Sequence, residues 1–209
     1  FHCVPYDIKE EDSIQKLEAA LREKDIQFPS DWERAETLKL LYNADFDLKK
    51  AVPMAIEHFK WRVRQLPLEQ LAIDLINSSF FFTLGKDKMF RPIVYVRLNV
   101  FRNKKKFGLN EKLQYDQLDS ALDWIVTLIR KECFHPYFVE NWIMIVDADE
   151  MGIMSFPIGF FTNLLKLTQV NHPACLHKMF IVNPPFSAGL IFKAASPFLG
   201  SDTQEKITF

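Results

Sequence analysis

The chain changes its hydrophobic period once. Up to Asn77, apolar residues recur at spacings of three and four. Ile14, Leu17 and Leu21 mark one face of a charged helix over 10–24, and a second helix follows over 30–43. Leu48, Val52, Ile56, Phe59 and Val63 mark a third, which Asp47 can cap. Pro53 lies inside this third pattern, where it removes the bond to the Lys49 carbonyl and predicts a kink near the helix start. Pro67 closes the segment, and residues 68–77 make one more short helix.

After Asn77 the period becomes that of strands. Residues 80–84, a turn over 85–88, and residues 92–98 read as a hairpin. A long helix over 110–131 buries Leu118, Leu122, Ile125 and Ile129. A strand over 142–146, a helix from Ser155 to about 170 and a strand over 178–182 follow. Strands alternating with helices of this length predict an α/β fold with a mainly parallel sheet, preceded by a small all-helical part. The change of period divides the chain into a helical subdomain, 1–77, and a sheet-containing core, 78–209. The last strand stops at Asn183-Pro184-Pro185. Phe186, Leu190, Ile191, Ala194, Ala195 and Phe198 then make a helix apolar around most of its circumference. Such a helix must be covered by core, a partner, a membrane or an apolar ligand.

Composition narrows the function. A formal net charge of -1 argues against a nucleic-acid binder, which needs an excess of Lys and Arg against phosphates. Three cysteines, Cys3, Cys133 and Cys175, have neither the number nor the spacing of a disulfide framework or zinc site, so a reducing, cytoplasmic setting is expected. No apolar run is long enough to span a bilayer. Opening at Phe1 rather than Met, the chain reads as a piece of a longer one. Twenty Phe against six Gly can fill a core or line a cavity as well.

Four landmarks carry a resemblance. Asp45-Phe46-Asp47-Leu48-Lys49-Lys50-Ala51 with His58-Phe59-Lys60-Trp61-Arg62, then Arg91-Pro92-Ile93-Val94-Tyr95, then the run from Ile143 to Asp147, stand in order along the chain. The fourth is Phe180-Ile181-Val182-Asn183-Pro184-Pro185, continued by Ser196-Pro197-Phe198-Leu199 and by Thr203, Lys206, Ile207 and Phe209. Together they resemble the CRAL-TRIO lipid-binding family across roughly residues 38–209. The resemblance implies a sheet that floors a hydrophobic pocket closed by a gate helix. Val94, Val96, Trp142, Met144, Met179 and Ile181 would form the floor, Phe160 and Leu164 a wall, and Leu190 and Ala194 the gate. A two-chain phospholipid hides about 30 methylenes at about 0.8 kcal/mol each, so the pocket should be almost wholly apolar and exchange should take place at a membrane.

The headgroup end matches the family in part. Thr203 and Lys206 coincide with the Thr and Lys that the family's phosphatidylinositol transfer members place on the inositol phosphate. Ala174 stands where those members carry Glu, and Ala44 stands in place of an Arg. Trp142, Met144 and Val94 replace the polar residues of their phosphatidylcholine site. Phosphatidylinositol therefore fits better than phosphatidylcholine, and another apolar ligand stays open. The resemblance implies no enzyme, no metal or redox cofactor, and partners that are a phospholipid, a transient membrane surface and a lipid-modifying enzyme to which lipid could be presented. The basic run Arg102-Asn103-Lys104-Lys105-Lys106 beside Phe101 and Phe107 reads either as membrane contact, through Lys104, Lys105 and Lys106, or as a solvated loop.

Two other classes compete. One is a non-catalytic interaction or membrane-recruitment module of a larger protein. The other is a metal-dependent transferase at Asp147 and Asp149, since carboxylates just past a parallel strand are where such chemistry often sits. A D-x-D without a Gly-rich phosphate loop, G-x-S-x-G or H-E-x-x-H beside it does not define such a site.

Overall fold

The computed structural model describes residues 5–30, 32–63, 70–113, 118–135, 138–151, 168, 170–186, 188–196, 199 and 201–209, with the side chains of 191, 194, 195, 201 and 202 left out. Packing divides the chain into two compact units, Phe1–Leu66 with Thr168–Ala174, and Pro67–Leu167 with Cys175–Phe209.

The smaller unit holds α1 (Ile8–Arg22), α2 (Arg34–Asn43) and α3 (Leu48–Arg62). Helix α1 starts at a capping box in which the Glu10 N–H donates to Asp7 Oδ1 at 2.7 Å and the Asp7 N–H donates to Glu10 Oε2 at 2.9 Å. Its Ile14, Leu17 and Leu21 are buried with Leu40, Leu41, Ala51, Ala55 and Phe59 of the next two helices. Those are the positions the helical period marks on α1. Arg62 pairs with Glu36 at 2.5 Å and lies over the Trp32 ring, joining the end of α3 to the start of α2. The segment 168–174 returns to this unit: His58 Nδ1 is 3.0 Å from the Val170 carbonyl, and the His172 ring packs edge-on to Trp61.

The larger unit begins with α4 (Gln70–Asn77), β1 (Phe81–Lys86) and β2 (Pro92–Arg97), then two 3₁₀ turns, Leu98–Phe101 and Lys104–Phe107. It continues with α5 (Asp119–Cys133), β3 (Trp142–Asp147), β4 (Leu176–Val182), α6 (Ala188–Ala195), α7 (Ser201–Glu205) and β5 (Ile207–Thr208). The strands lie in the order β1-β2-β3-β4-β5; β1 is antiparallel to β2, and every later pair is parallel. Hydrophobic period sets the boundary at 77, but Ala72 and Leu75 of α4 are buried in the sheet's own cluster, so α4 packs with the strands.

One face of the sheet is core. Val94, Met144 and Met179 form one row across β2, β3 and β4, and Val96, Val146 and Ile181 form the next. They are buried together with Leu118, just before α5, and with Leu122, Ile125 and Val126 of α5. The other face carries Ile93, Tyr95 and Arg97 beside Ile143, Ile145 and Asp147, all half-buried.

Several elements differ from the sequence expectation. The hairpin turn lies over 87–91 rather than 85–88, because the Asp87 carboxylate accepts the Met89 and Arg91 N–H groups and draws the bend toward the second strand. Helix α5 starts at Asp119, and Leu113 of the expected helix is buried before it. Helix α2 starts at Arg34, where Glu33 and Glu36 close the cap. The helix expected from Ser155, including Phe160 and Leu164, lies outside the described residues apart from the helical turn that ends at 171. In urea unfolding, Leu122→Ala should cost about 2–5 kcal/mol through the cavity it leaves, whereas exposed Lys105→Ala should stay within about 0.5 kcal/mol.

Candidate functional site

Six of the ten expected pocket residues share one surface. Val94, Val96, Trp142, Met144, Met179 and Ile181 all project from the same sheet face, as alternation requires, and all six are buried. Trp142 is covered by Phe134 just beyond α5, with ring centroids 5.4 Å apart. On the β2–β3 side this face is thus closed by α5. On the β4–β5 side it is approached by α6, whose Phe192 packs on the same cluster, as does Ile207 of β5. Phe192 also meets the Phe209 ring at 5.3 Å.

Helix α6 has a single charged residue, Lys193, yet only part of it turns to the sheet. Leu190 is 72% exposed, and Phe186, just before the helix, is fully exposed. Leu190 therefore points away from the floor, contrary to its expected place on the gate's inner side. The reason is helical phase: Phe192 is the residue directed at the cluster, and a residue two positions away cannot share its face. Ala194 lies in α6, and its side chain is outside the described residues.

Thr203 and Lys206 stand where α7 turns into β5. The Lys206 N–H donates to the Thr203 carbonyl at 3.2 Å, and the Lys206 carbonyl accepts from the Met179 N–H at 2.8 Å. Met179 pairs with Ile207, so Lys178 and Lys206 occupy adjacent positions at the amino ends of β4 and β5. His177 is the extra residue of a bulge there, since Leu176 pairs with Trp142 and Lys178 with Ile143. Burial holds the His177 imidazole below its ordinary pKa, and the charges of Arg91, Lys178 and Lys206 press it the same way against a smaller pull from Asp87. Arg91, Lys178 and Lys206 thus all act on His177, with Asp87 among them. In the sequence Lys206 stands apart, because Arg91 lies just before β2 and His177 and Lys178 lie in β4. The only local signal was the His177-Lys178 pair at the beginning of an apolar run.

The basic run has two parts. Lys104 is turned inward: its Nζ donates to the Glu111 carbonyl at 3.2 Å and to the Leu113 carbonyl, and it lies over the Phe101 ring. It closes its own loop, so it is not available as a surface charge in the way expected. Lys105 and Lys106 are exposed, Lys106 over the Phe107 ring. Arg102 donates to the Glu150 carbonyl and Asn103 to the Glu150 carboxylate at 3.3 Å, which ties the loop to the end of β3.

Asp147 has a structural occupation. Its carboxylate accepts the Tyr95 hydroxyl at 2.6 Å, the Asn183 amide at 2.9 Å and the Asp149 N–H at 3.1 Å. Burial pushes this carboxyl up, but those bonds and the Arg97 charge outweigh it and hold it below the ordinary value. Burial and the same carboxylate push the Tyr95 phenol up to about 12. Among the described residues no group of three His, Cys, Asp or Glu side chains is placed to hold a metal. Cys133 and Cys175 form no disulfide, and among the described residues no helix is long and apolar enough to cross a membrane.

Comparison with known proteins agrees with this arrangement. The CRAL/TRIO domain model matches residues 76–209, well over half of the chain. Patellin-5 of Arabidopsis thaliana is 26% identical over 187 residues, covering 82% of this chain and 27% of its own length. Phosphatidylinositol/phosphatidylcholine transfer protein SFH11, also of Arabidopsis thaliana, is 24% identical, covering 81% of this chain and 48% of its own length. The chain thus spans between a quarter and a half of these relatives. The crystal structure of Sfh5 superimposes with a TM-score of 0.68 at 13% identity, over 98% of this chain and 81% of that one.

Asp147→Ala should cost about 1–3 kcal/mol by leaving the Tyr95 hydroxyl and Asn183 amide without their acceptor. Because the folded pKa of Asp147 is depressed, its contribution is present above the unfolded value near 3.9 and lost as pH falls through the folded one. Asp147→Asn should therefore flatten the acid limb of stability measured between about pH 5 and 2. His177 has the opposite chemistry and the same sign: it resists protonation when folded, so it destabilises the fold as pH drops below about 6.5. In an NMR titration its pKa should rise on Lys178→Ala or Lys206→Ala.

Proposed function

Because this chain belongs to the CRAL/TRIO domain family, we propose that it binds one hydrophobic ligand, a phospholipid with a phosphatidylinositol-like headgroup, and exchanges it at membranes or presents it to a lipid-modifying enzyme. The observation that carries this reading is α6. It is an eight-residue, almost wholly apolar helix that rests on the buried sheet face through Phe192 while Leu190 and the preceding Phe186 face outward. A helix so short has little stability of its own, and its seat is a small apolar contact at the end of the sheet where α5 does not reach. An acyl chain offers the cluster the same kind of surface as Phe192, so a lipid can replace that contact at little net loss.

The headgroup is assigned to the amino ends of β4 and β5. Lys206, with Lys178 beside it, supplies positive charge, and Thr203 supplies a hydroxyl donor, a set that suits a phosphate. The naming of SFH11 as a phosphatidylinositol/phosphatidylcholine transfer protein supports the same class of ligand. Lys105 and Lys106 extend toward solvent beyond the carboxyl end of β2, where they can meet anionic headgroups at about 1 kcal/mol each. The proposed action is cytoplasmic, with transient membrane contact, which suits Cys133 and Cys175 as thiols outside any disulfide. The role is binding rather than catalysis: Asp147 spends its oxygens on Tyr95, Asn183 and Asp149.

Organic extraction of the purified protein followed by mass spectrometry tests this. One lipid per protein is expected, lost by about tenfold or more in Ile207→Trp, an overfilling substitution at a residue that packs on the same cluster as Phe192. Lys206→Ala should selectively reduce the share of inositol phospholipid. Protein that carries no lipid and takes none from liposomes would overturn the reading.

A further inference from the structure

The carboxyl end of α6 needs donors. The last carbonyls of any helix lack an N–H one turn further on, and in a helix as short as α6 they make up roughly half of it. Here they are met one after another. The Ser196 hydroxyl donates back to the Phe192 carbonyl at 2.8 Å, and the Leu199 N–H donates to the Ser196 carbonyl at 3.0 Å. Gln204 of α7 then gives both hydrogens of its amide: Nε2 is 3.0 Å from the Ser196 carbonyl and 3.0 Å from the Leu199 carbonyl. A primary amide is the only uncharged side-chain group with two N–H donors on one atom, and here each reaches a different carbonyl of the same connection.

The amino end of α6 is held differently. It follows Pro184 and Pro185, which have no N–H to give, and the Ala188 N–H donates to the Pro185 carbonyl at 2.8 Å within the same stretch. Phe186 there is fully exposed, whereas Leu199 beyond the other end is buried in the sheet's cluster. Among the described residues, the carboxyl end is thus the more firmly anchored. The anchor is also close to the contact it protects. Phe192 lies one turn before Ser196, so the chain of bonds from Gln204 through Ser196 ends on the residue that seats α6 on the cluster. On its other side Gln204 directly follows Thr203, whose carbonyl accepts the Lys206 N–H at 3.2 Å.

We infer that Gln204 is a positioning residue, a latch by which the turn bearing Thr203 and Lys206 holds the carboxyl end of α6 and with it Phe192. On the reading of α6 as the cover of an apolar ligand, on which this rests, the latch sets how readily that cover lifts. Hydrogen bonds between neutral groups are modest in net strength, so two of them can break and re-form during exchange, where a charged pair would hold harder. Without the amide, two carbonyls beside a buried Leu lose these donors, and so short a helix has little stability of its own to make up the loss.

Hydrogen–deuterium exchange read by mass spectrometry on peptides spanning 188–196 tests the latch in the purified protein before any lipid is added. Gln204→Leu keeps the bulk of the side chain and removes both donors, and Gln204→Glu keeps its shape but turns acceptors toward the two carbonyls. Near neutral pH, exchange over 188–196 should speed about tenfold or more in both variants, while peptides from α5 keep wild-type protection. Relative to wild type at each pH, the excess in Gln204→Glu should shrink as pH falls toward about 4.5, where a protonated carboxyl regains one donor, and the excess in Gln204→Leu should not. A Gln that served packing alone would give no such pH profile. From protein loaded with a fluorescent phosphatidylinositol, release to acceptor vesicles should quicken by a similar factor in Gln204→Leu. Wild-type exchange over 188–196 in both variants overturns the proposal, as does a loss of protection spread equally over α5. A protein that takes up no lipid, yet loses protection over 188–196 alone in the variants, sinks the pocket reading and leaves the latch standing; a lipid-loaded protein with unchanged exchange does the reverse.

Discussion

The parallel register of β2, β3 and β4 is the constraint on which the larger unit depends. It sets Val94, Met144 and Met179 in one row and Val96, Val146 and Ile181 in the next, so a continuous apolar surface exists for helices to cover. A shift of one residue in any of these strands would send that row to the opposite face and expose it. Strands are added in one direction from β2 to β5, and right-handed crossovers place successive connections on a common side. That is why α5, which joins β2 to β3, and Phe192 of α6, which lies between β4 and β5, contribute to one cluster.

Covering one face from several connections makes the cover uneven. Helix α5 is fifteen residues long and buries six of them, a seat no small ligand would displace. Helix α6 is about half that length and sits at the margin of the same surface. The proposed ligand site lies under the slighter of these two covers. The opposite face is fixed differently: Asp147 binds Tyr95 of β2 and Asn183 beyond β4, joining the carboxyl ends of three strands by side-chain bonds. The Asp147 carboxylate thereby clamps the sheet.

Electrostatics sorts the surface by end. The amino ends of β4 and β5 gather His177, Lys178 and Lys206, while the carboxyl end of β2 leads into Lys105 and Lys106. Net charge near zero concealed both, because Asp and Glu elsewhere balance them. Of the basic run, Lys104 is consumed in closing its loop on the Glu111 and Leu113 carbonyls. A cluster of like charges in sequence is therefore not a cluster on the surface until the backbone has decided which of them face water.

Local periodicity by itself determined much of this protein. Alternation along β2 and β3 identified the buried row, spacing identified the inner faces of α1 and α5, and four ordered landmarks identified the family, because each depends on neighbours within a few residues. What only the tertiary structure decided involves partners far apart in the chain. The pairing of Asp147 with Tyr95, the convergence of Arg91, Lys178 and Lys206 on His177, and the membership of α4 in the sheet unit each require strand order and register before they exist. The outward turn of Leu190 and the shift of the hairpin bend to Asp87 have the same cause. Composition said that these residues were apolar or turn-forming, and only packing and hydrogen bonding settled which way each one pointed.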